Sequence, residues 1–347
     1  MIKTLPSARE MQRAVLAGDG SYDGLFFVCV KTTRIFCKPS CPARKPKPIN
    51  MEYQASVRNC LLHGFRPCKR CRPPATNGET PPWLDDLLAR VERDPAGRLT
   101  DQNLREMSVN PHRARRYFQR SFGMTFQAYH RSRRMGLALQ ELRAGRDPLT
   151  VALDHGYDSD SGFREAFAKT FGTTPGQTGD VVTIKTTTIE SPLGPLVAGA
   201  TEEGVCLLEF ADRRAFAKQI ETLKRRTGGS MVPGTCDHLE QLGRELEEYF
   251  RGEREGFSVA ITAPGTDFQR RVWSQLRRIP YGQTTSYERL ANAIGRPGAQ
   301  RAVGRANGDN RIAILIPCHR VVRSDGTLCG YGGGLWRKQF LLDLERA

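Results

Sequence analysis

Residues 30–50 read VKTTRIFCKPSCPARKPKPIN and residues 64–73 read GFRPCKRCRP. Together they hold Cys37, Cys41, Cys68 and Cys71, a CxxxC pair and a CxxC pair separated by a loop. Two close pairs of soft ligands suit one tetrahedral zinc ion, because each pair reaches the metal from a tight turn while the loop folds around it. Four unrelated buried thiols, or a CxxC redox pair, are the alternatives; a unit this small needs a staple, which favours the metal. Lys38, Arg44, Lys45 and Lys47 flank the first pair, and Arg66, Lys69, Arg70 and Arg72 the second. Such a cationic collar lowers thiol proton affinity and attracts phosphate.

Working outward, the chain has 347 residues, of which 39% are hydrophobic, and a net charge of +16. That length predicts two or three folded units, and the ordinary hydrophobic fraction excludes intrinsic disorder. No apolar run approaches the roughly 20 residues that cross a bilayer, so no membrane partner is expected. The opening MIKTLPSARE lacks the apolar core of a signal peptide, which points to a reducing cytoplasm and to cysteines used as metal ligands or reactive thiols. The charge calls for a polyanion.

Its distribution is uneven: residues 1–80 carry 14 basic and 5 acidic residues, 81–180 carry 15 and 13, and 181–347 carry 24 and 19. Between positions 111 and 146, nine arginines (113, 115, 116, 120, 131, 133, 134, 143 and 146) stand against one acid, Glu141. Without acids for intrahelical pairing, this stripe reads as a nucleic-acid contact.

Two punctuated stretches divide the chain. RPPATNGETPP (72–82) reads as a linker, and FGTTPGQTGD (171–180) precedes β-branched VVTIKTTTI. The middle unit carries helical periodicity throughout, with Asp158 to Ser161 as capping candidates before GFREAFAKTF. The last unit opens with strands near 181–189, 196–201 and 205–210 and then turns helical.

The cysteine-rich segments closely resemble the zinc domain of the Ada family of bacterial DNA-alkylation repair proteins. The resemblance implies that Cys37 is both a zinc ligand and the acceptor of a methyl group from DNA methylphosphotriesters, with Cys41, Cys68 and Cys71 completing a one-zinc site. Thr33, Arg44 and Arg66 fall at positions that contact DNA backbone in the family. Methylation of one thiolate halves the charge of the zinc–thiolate cluster, so DNA affinity is expected to rise after reaction.

FQRSFGMTFQAYHRSRRM and LTVALDHGYDSDSGFREAFAKTFGTTPG resemble the two halves of an AraC-type DNA-binding domain, which places helices in successive major grooves. The first half departs from the pattern. LREMSVNPHRARRYF is a residue shorter, with Arg105 for the usual small residue and Ser108 near the expected glycine. Arg113, Arg115, Arg116, Arg164 and Lys169 are the candidate DNA contacts.

In the last unit, AILIPCHRVVRSDG puts Cys318 and His319 after an apolar, strand-like run. Alone the pair is a weak signal, since adjacent side chains of an extended chain point apart. With TDFQRRVWSQLRRIPYGQTTSYERLANAIGRPGAQRAVGRANGDN upstream and GYGGGLWRKQFLLDLE downstream, it resembles the O6-alkylguanine-DNA alkyltransferases over nearly all of 181–347. That likeness implies Cys318 as alkyl acceptor, His319 as its base through a water, and Glu345 as the carboxylate orienting the histidine. It further implies that Asn310 braces the active-site turn and that Arg301 enters the duplex in place of the extruded nucleotide. Tyr287 would turn the 3′ phosphate and donate a proton to the departing guanine, and Tyr331 would line the base pocket. Thr285 departs from the family pattern and Cys329 adds a thiol close to the site; neither is expected to abolish activity.

The resulting expectation is a multidomain α+β protein that removes methyl groups from phosphotriesters and from O6-methylguanine and O4-methylthymine while regulating transcription. Its parts are a zinc-stabilised domain (1–74), a linker (75–82), an all-α AraC-type double helix-turn-helix domain (83–178), an α/β ribonuclease-H-like part (181–262) and a helical, winged-helix-like alkyltransferase part (263–347). Double-stranded DNA and RNA polymerase are the expected partners of a monomer. A lesion-sensing regulator without efficient base repair would instead be expected to lack the acceptor at position 318.

Overall fold

The computed structural model describes residues 5–55, 57–71, 73, 81–213 and 215–346; the stretch 74–80, and with it most of the expected linker, lies outside the described residues, as does Arg72.

The N-terminal unit comprises α1 (Ala8–Ala17), β1 (Phe27–Val30), β2 (Ile35–Cys37), β3 (Met51–Gln54), α2 (Val57–Leu62) and β4 (Arg66–Pro67). Its sheet runs β3-β1-β2-β4, with β1 antiparallel to both neighbours and β4 parallel to β2. Because strand side chains alternate, β1 sends Val28 to one small core with Met11, Val15 and Phe26, and Phe27 and Cys29 to another with Phe36 and Phe65. Neither cluster is large, as expected of a unit that relies on a metal.

Six helices follow: α3 (Pro82–Arg93), α4 (Asp101–Glu106), α5 (Pro111–Ser121), α6 (Phe126–Arg143), α7 (Pro148–Asp154) and α8 (Asp160–Phe171). Five begin at a side-chain cap: Thr100, Asn110, Thr125, Asp147 and Ser159 each accept a first-turn N–H. The 18-residue α6 spans two cores, its first turns meeting Phe118 and Phe122, its later ones Val151, Phe163 and Phe167. The turn before α5 is closed by Val109 N–H to Leu104 O and the turn before α8 by Tyr157 N–H to Ala152 O. Gly156 sits in the second turn at φ +70°; Ser108 takes φ +58° in the first, a left-handed conformation that favours glycine.

The last part opens with β5 (Thr183–Ile189), β6 (Leu196–Thr201), β7 (Gly204–Phe210), α9 (Phe216–Thr227), β8 (Ser230–Pro233) and α10 (Asp237–Arg251). The sheet order is β7-β6-β5-β8, with β8 parallel to β5 and the other pairs antiparallel. α9 covers one face through Phe216, Ile220 and Leu223, and α10 the other through Leu239, Leu242 and Leu246. That second core continues into α11 (Asp267–Leu276), β9 (Thr285–Ser286), α12 (Tyr287–Ala293), α13 (Gln300–Gly308), β10 (Val321–Val322) and α14 (Leu335–Leu344). Packing of α6 on β8 is intimate: a Cβ at Gly136 would collide with Val232 Cγ1, so any larger residue would force that side chain to shift. Among the described residues, no helix is long and apolar enough to cross a membrane.

Candidate active site and metal centre

Cys37 ends β2 and Cys68 follows β4, so the parallel pairing of those strands brings the two cysteine turns together; Cys68 N–H donates to Phe36 O at 3.0 Å. All four sulfurs lie within 4.8 Å of one another. Tetrahedral zinc, with Zn–S near 2.3 Å, needs sulfurs about 3.8 Å apart, so small side-chain adjustments suffice. Burial, and the neighbouring sulfurs of Cys41 and Cys71, push the Cys37 thiol up. A buried cluster of four sulfurs with those mutual penalties is a donor set that suits a dication. Thr33, Arg44 and Arg66 are exposed around it. Lys45 is not: its Nζ turns inward onto Cys41 O (2.8 Å) and Pro39 O (3.3 Å), so part of the expected collar shapes the ligand loop instead.

The second site departs from the sequence expectation in its backbone. Residues 312–317 are not a strand. They touch β7 at a single bridge, Leu208 to Ile312, and then turn away at Ile314, which has φ +72°. The polar groups of this buried run are met partly by backbone, with Ala313 N–H donating to Leu208 O (2.7 Å) and Ile316 N–H to Ile312 O (3.0 Å), and partly by Asn310, whose Oδ1 accepts from Ile312 N–H (3.0 Å) and whose Nδ2 donates to Ile316 O (2.8 Å). Cys318 to Arg320 then form a 3-10 turn, so Cys318 and His319 are not on an extended chain.

Cys318 is 7% exposed and opens on a cavity of about 280 Å³ also lined by Glu209, Arg213, Tyr287, Asn310 and Tyr331. Asn310 Nδ2 lies 3.2 Å from its Sγ. Burial raises the Cys318 thiol, and the Asn310 bond opposes this. Beside it His319 Nε2 sits 2.7 Å from Glu345 Oε1, both side chains sealed from solvent. Glu345 also accepts from Tyr249 Oη (2.7 Å) and from Arg320 Nε (2.8 Å) and Nη2 (2.9 Å). Burial alone would raise its carboxyl, but the bonds from His319 and Arg320 hold it down to about 2. Burial keeps His319 neutral, lowering its proton affinity despite that carboxylate, and its Nδ1 has no partner among the described residues.

The short parallel ladder of β9 and β10 pairs Val321 with Thr285 and Val322 with Ser286, placing Tyr287 at the mouth of the same cavity. Burial pushes its phenol up, so it stays protonated. The Tyr331 hydroxyl is buried without a partner among the described residues. Arg301 is exposed at the start of α13.

Four family models match the chain: "Metal binding domain of Ada" over 10–74, "Helix-turn-helix domain" over 104–180, "6-O-methylguanine DNA methyltransferase, ribonuclease-like domain" over 184–263, and "6-O-methylguanine DNA methyltransferase, DNA binding domain" over 267–347. The bifunctional transcriptional activator/DNA repair enzyme Ada of Escherichia coli (strain K12) is 34% identical over 338 residues, spanning 96% of this chain and 95% of that protein. The chain belongs to the Ada family. Its C-terminal part is similar to the methylated-DNA--protein-cysteine methyltransferase of Methanosarcina barkeri, at 45% identity over 45% of this chain and 94% of the relative. The crystal structure of Mycobacterium tuberculosis OGT in complex with DNA matches at 42% identity and a TM-score of 0.41, covering 47% of this chain and 92% of that one.

In this Ada-family chain the arginine stripe is only partly free. Arg133 pairs with Glu92, Arg143 with Glu202, and Arg146 with Glu141 and Asp154; Arg134 is buried against Tyr157. The acids come mostly from other elements, which counting within the stripe overlooks. Arg113, Arg115 and Arg116 are exposed on α5, and Arg164 is exposed on α8 while paired with Asp160 at 2.7 Å. Sequence reasoning also missed Arg320 and Tyr249 as partners of Glu345, and the Glu209–Arg213 pair on the cavity wall; a single acid in the apolar GVCLLEF was the available signal for the latter.

Proposed function

We propose that this protein repairs alkylated DNA at two cysteines and regulates transcription through its paired helix-turn-helix unit. The observation that carries the reading is Cys318 on a cavity wall, within reach of Asn310 and next to a sealed His319–Glu345 pair. The free Nδ1 of His319 is the nitrogen able to take the thiol proton, directly or through a water. The Cys318 sulfur attacks the methyl carbon of an extruded O6-methylguanine: the S–C bond forms, the C–O6 bond breaks, and its electron pair passes to the guanine. The base takes a proton from Tyr287, so one proton leaves the thiol and one arrives on guanine. O4-methylthymine offers the same bond. Arg301 fills the vacated stack, and Tyr331 forms the pocket wall.

At the N-terminus, Cys37, Cys41, Cys68 and Cys71 hold the zinc. When bound, the ion keeps these sulfurs as thiolates. Cys37, half-buried at the end of β2, accepts the phosphotriester methyl: the S–C bond forms as the C–O bond breaks, and its electron pair leaves on the phosphodiester anion. Loss of its negative charge strengthens phosphate attraction at Thr33, Arg44 and Arg66. Arg116 and Arg164 contact DNA from α5 and α8, and promoter-bound protein acts on RNA polymerase, as a monomer in the cytoplasm.

Mass spectrometry after incubation with a duplex carrying both lesions tests the reading. One methyl on Cys318 and one on Cys37 supports it; unmodified Cys318 alongside lesion removal sinks it.

A further inference from the structure

β7, GVCLLEF, is fully buried, and its only charged residue, Glu209, is 1% exposed. A buried carboxylate is tolerable only with a well-placed partner, and Glu209 has one in Arg213, just beyond the strand. Arg213 does more than neutralise it. Its Nη1 donates to Asn310 O at 3.2 Å and its Nη2 to Gly308 O at 2.5 Å, gripping the segment that leaves α13. The guanidinium also packs against the glycine loop at 330–334: a Cβ at Gly332 would collide with Arg213 Cζ and Nε. Asn310 is therefore held at both ends, its carbonyl by Arg213 and its side chain on the Ile312 and Ile316 backbone and the Cys318 sulfur.

We propose that the Glu209–Arg213 pair is a positioning element of the Cys318 site. Arg213 fixes the Gly308–Asn310 segment and the Gly332 backbone, and Glu209 balances the guanidinium charge on the cavity wall. The proposal rests on the transfer reading above and assigns the ribonuclease-like part a share in the chemistry. Every other residue lining the cavity lies between positions 287 and 333.

The pair also sets the charge seen by the sulfur. Groups facing Cys318 are Glu209 and Arg213 from the end of β7, Asn310 after α13, Tyr287 of α12, Tyr331 of the glycine loop, Lys338 of α14 and His319 beside it. Among these Glu209 disfavours the thiolate while Arg213 and Lys338 favour it. Removing the carboxylate and keeping the guanidinium must ease ionisation of Cys318.

The test uses the full zinc-loaded chain and the variants Arg213→Met, Arg213→Lys and Glu209→Gln. Single-turnover methyl transfer from an O6-methylguanine duplex is measured at saturating DNA, with duplex affinity measured separately. In parallel, alkylation of Cys318 by iodoacetamide is followed against pH by peptide mass spectrometry. Arg213→Met should lower the limiting transfer rate by about tenfold or more at unchanged duplex affinity, and Arg213→Lys should recover part of it. Glu209→Gln should move the alkylation midpoint to lower pH. A wild-type rate in Arg213→Met, or an unmoved midpoint in Glu209→Gln, overturns the proposal. If the unmodified protein transfers no methyl to Cys318, the transfer reading fails, and the iodoacetamide midpoint still decides the role of the pair.

Discussion

Asn310 Nδ2 lies 3.2 Å from Cys318 Sγ while the same amide group donates to Ile316 O at 2.8 Å, so one side chain both shapes the turn and polarises the sulfur it carries. Asn310→Ala should slow transfer by about ten- to hundredfold, the worth of a hydrogen bond to a charged group. The acid limb of the rate–pH profile should move to higher pH, because a bond favouring the thiolate is lost. Single-turnover kinetics across pH check both outcomes.

Glu345→Gln leaves Arg320 buried without a counter-charge and should cost about 3–5 kcal/mol of stability, with transfer to Cys318 falling as well. Linkage gives the pH sign for the unsubstituted protein. The Glu345 carboxyl is held at about 2, so its contribution is present above the unfolded value near 4.3 and disappears as pH falls toward 2. His319, lowered by burial, adds a loss that begins below about 6.5, where its unfolded form protonates. Melting temperatures measured from pH 7 to pH 3 should therefore fall monotonically, and the pH 5 to 3 part of that fall should shrink in Glu345→Gln.

Chelation should withdraw on the order of 10 kcal/mol of folding free energy from the N-terminal unit, whose two small cores cannot replace it. Transfer to Cys37 should stop while transfer to Cys318 continues. Parallel readings of both adducts by mass spectrometry, with circular dichroism before and after zinc is restored, distinguish this from global unfolding.

Arg116→Ala removes an exposed guanidinium with no carboxylate partner among the described residues. If it meets a phosphate, the slope of log affinity against log salt should fall by about one. Fluorescence anisotropy over a salt series reads this, and a base contact would instead show as relaxed preference at one position.

Ser108→Gly relieves a left-handed residue at φ +58° and should stabilise the regulator unit by about 0.5–1 kcal/mol, after allowance for the greater freedom of glycine in the unfolded chain. Urea denaturation of the two proteins side by side checks it.

Local chemistry was legible in the sequence, and long-range chemistry was not. Spacing alone pointed to a metal at Cys37, Cys41, Cys68 and Cys71, and the structure brings those sulfurs together. The likeness to alkyltransferases proposed Glu345 for His319, and they meet at 2.7 Å. The run at 312–317 misled because a buried apolar segment looks like a strand whether its backbone pairs along a neighbouring strand or, as here, with itself, with Leu208 and with the Asn310 side chain. Counting acids within the arginine stripe overlooked Glu92 and Glu202, which occupy two of its members, because they are distant in sequence. Arg213 was invisible for the same reason: its partners at Gly308 and Asn310 lie nearly a hundred positions away.

α6 carries a geometric consequence for any promoter this protein reads. With 18 residues it measures about 27 Å, and it is clamped at either end by a separate aromatic core. Inserting one residue at its midpoint would swing α8 by about 100° relative to α5, uncoupling the exposed Arg164 from the exposed arginines of α5.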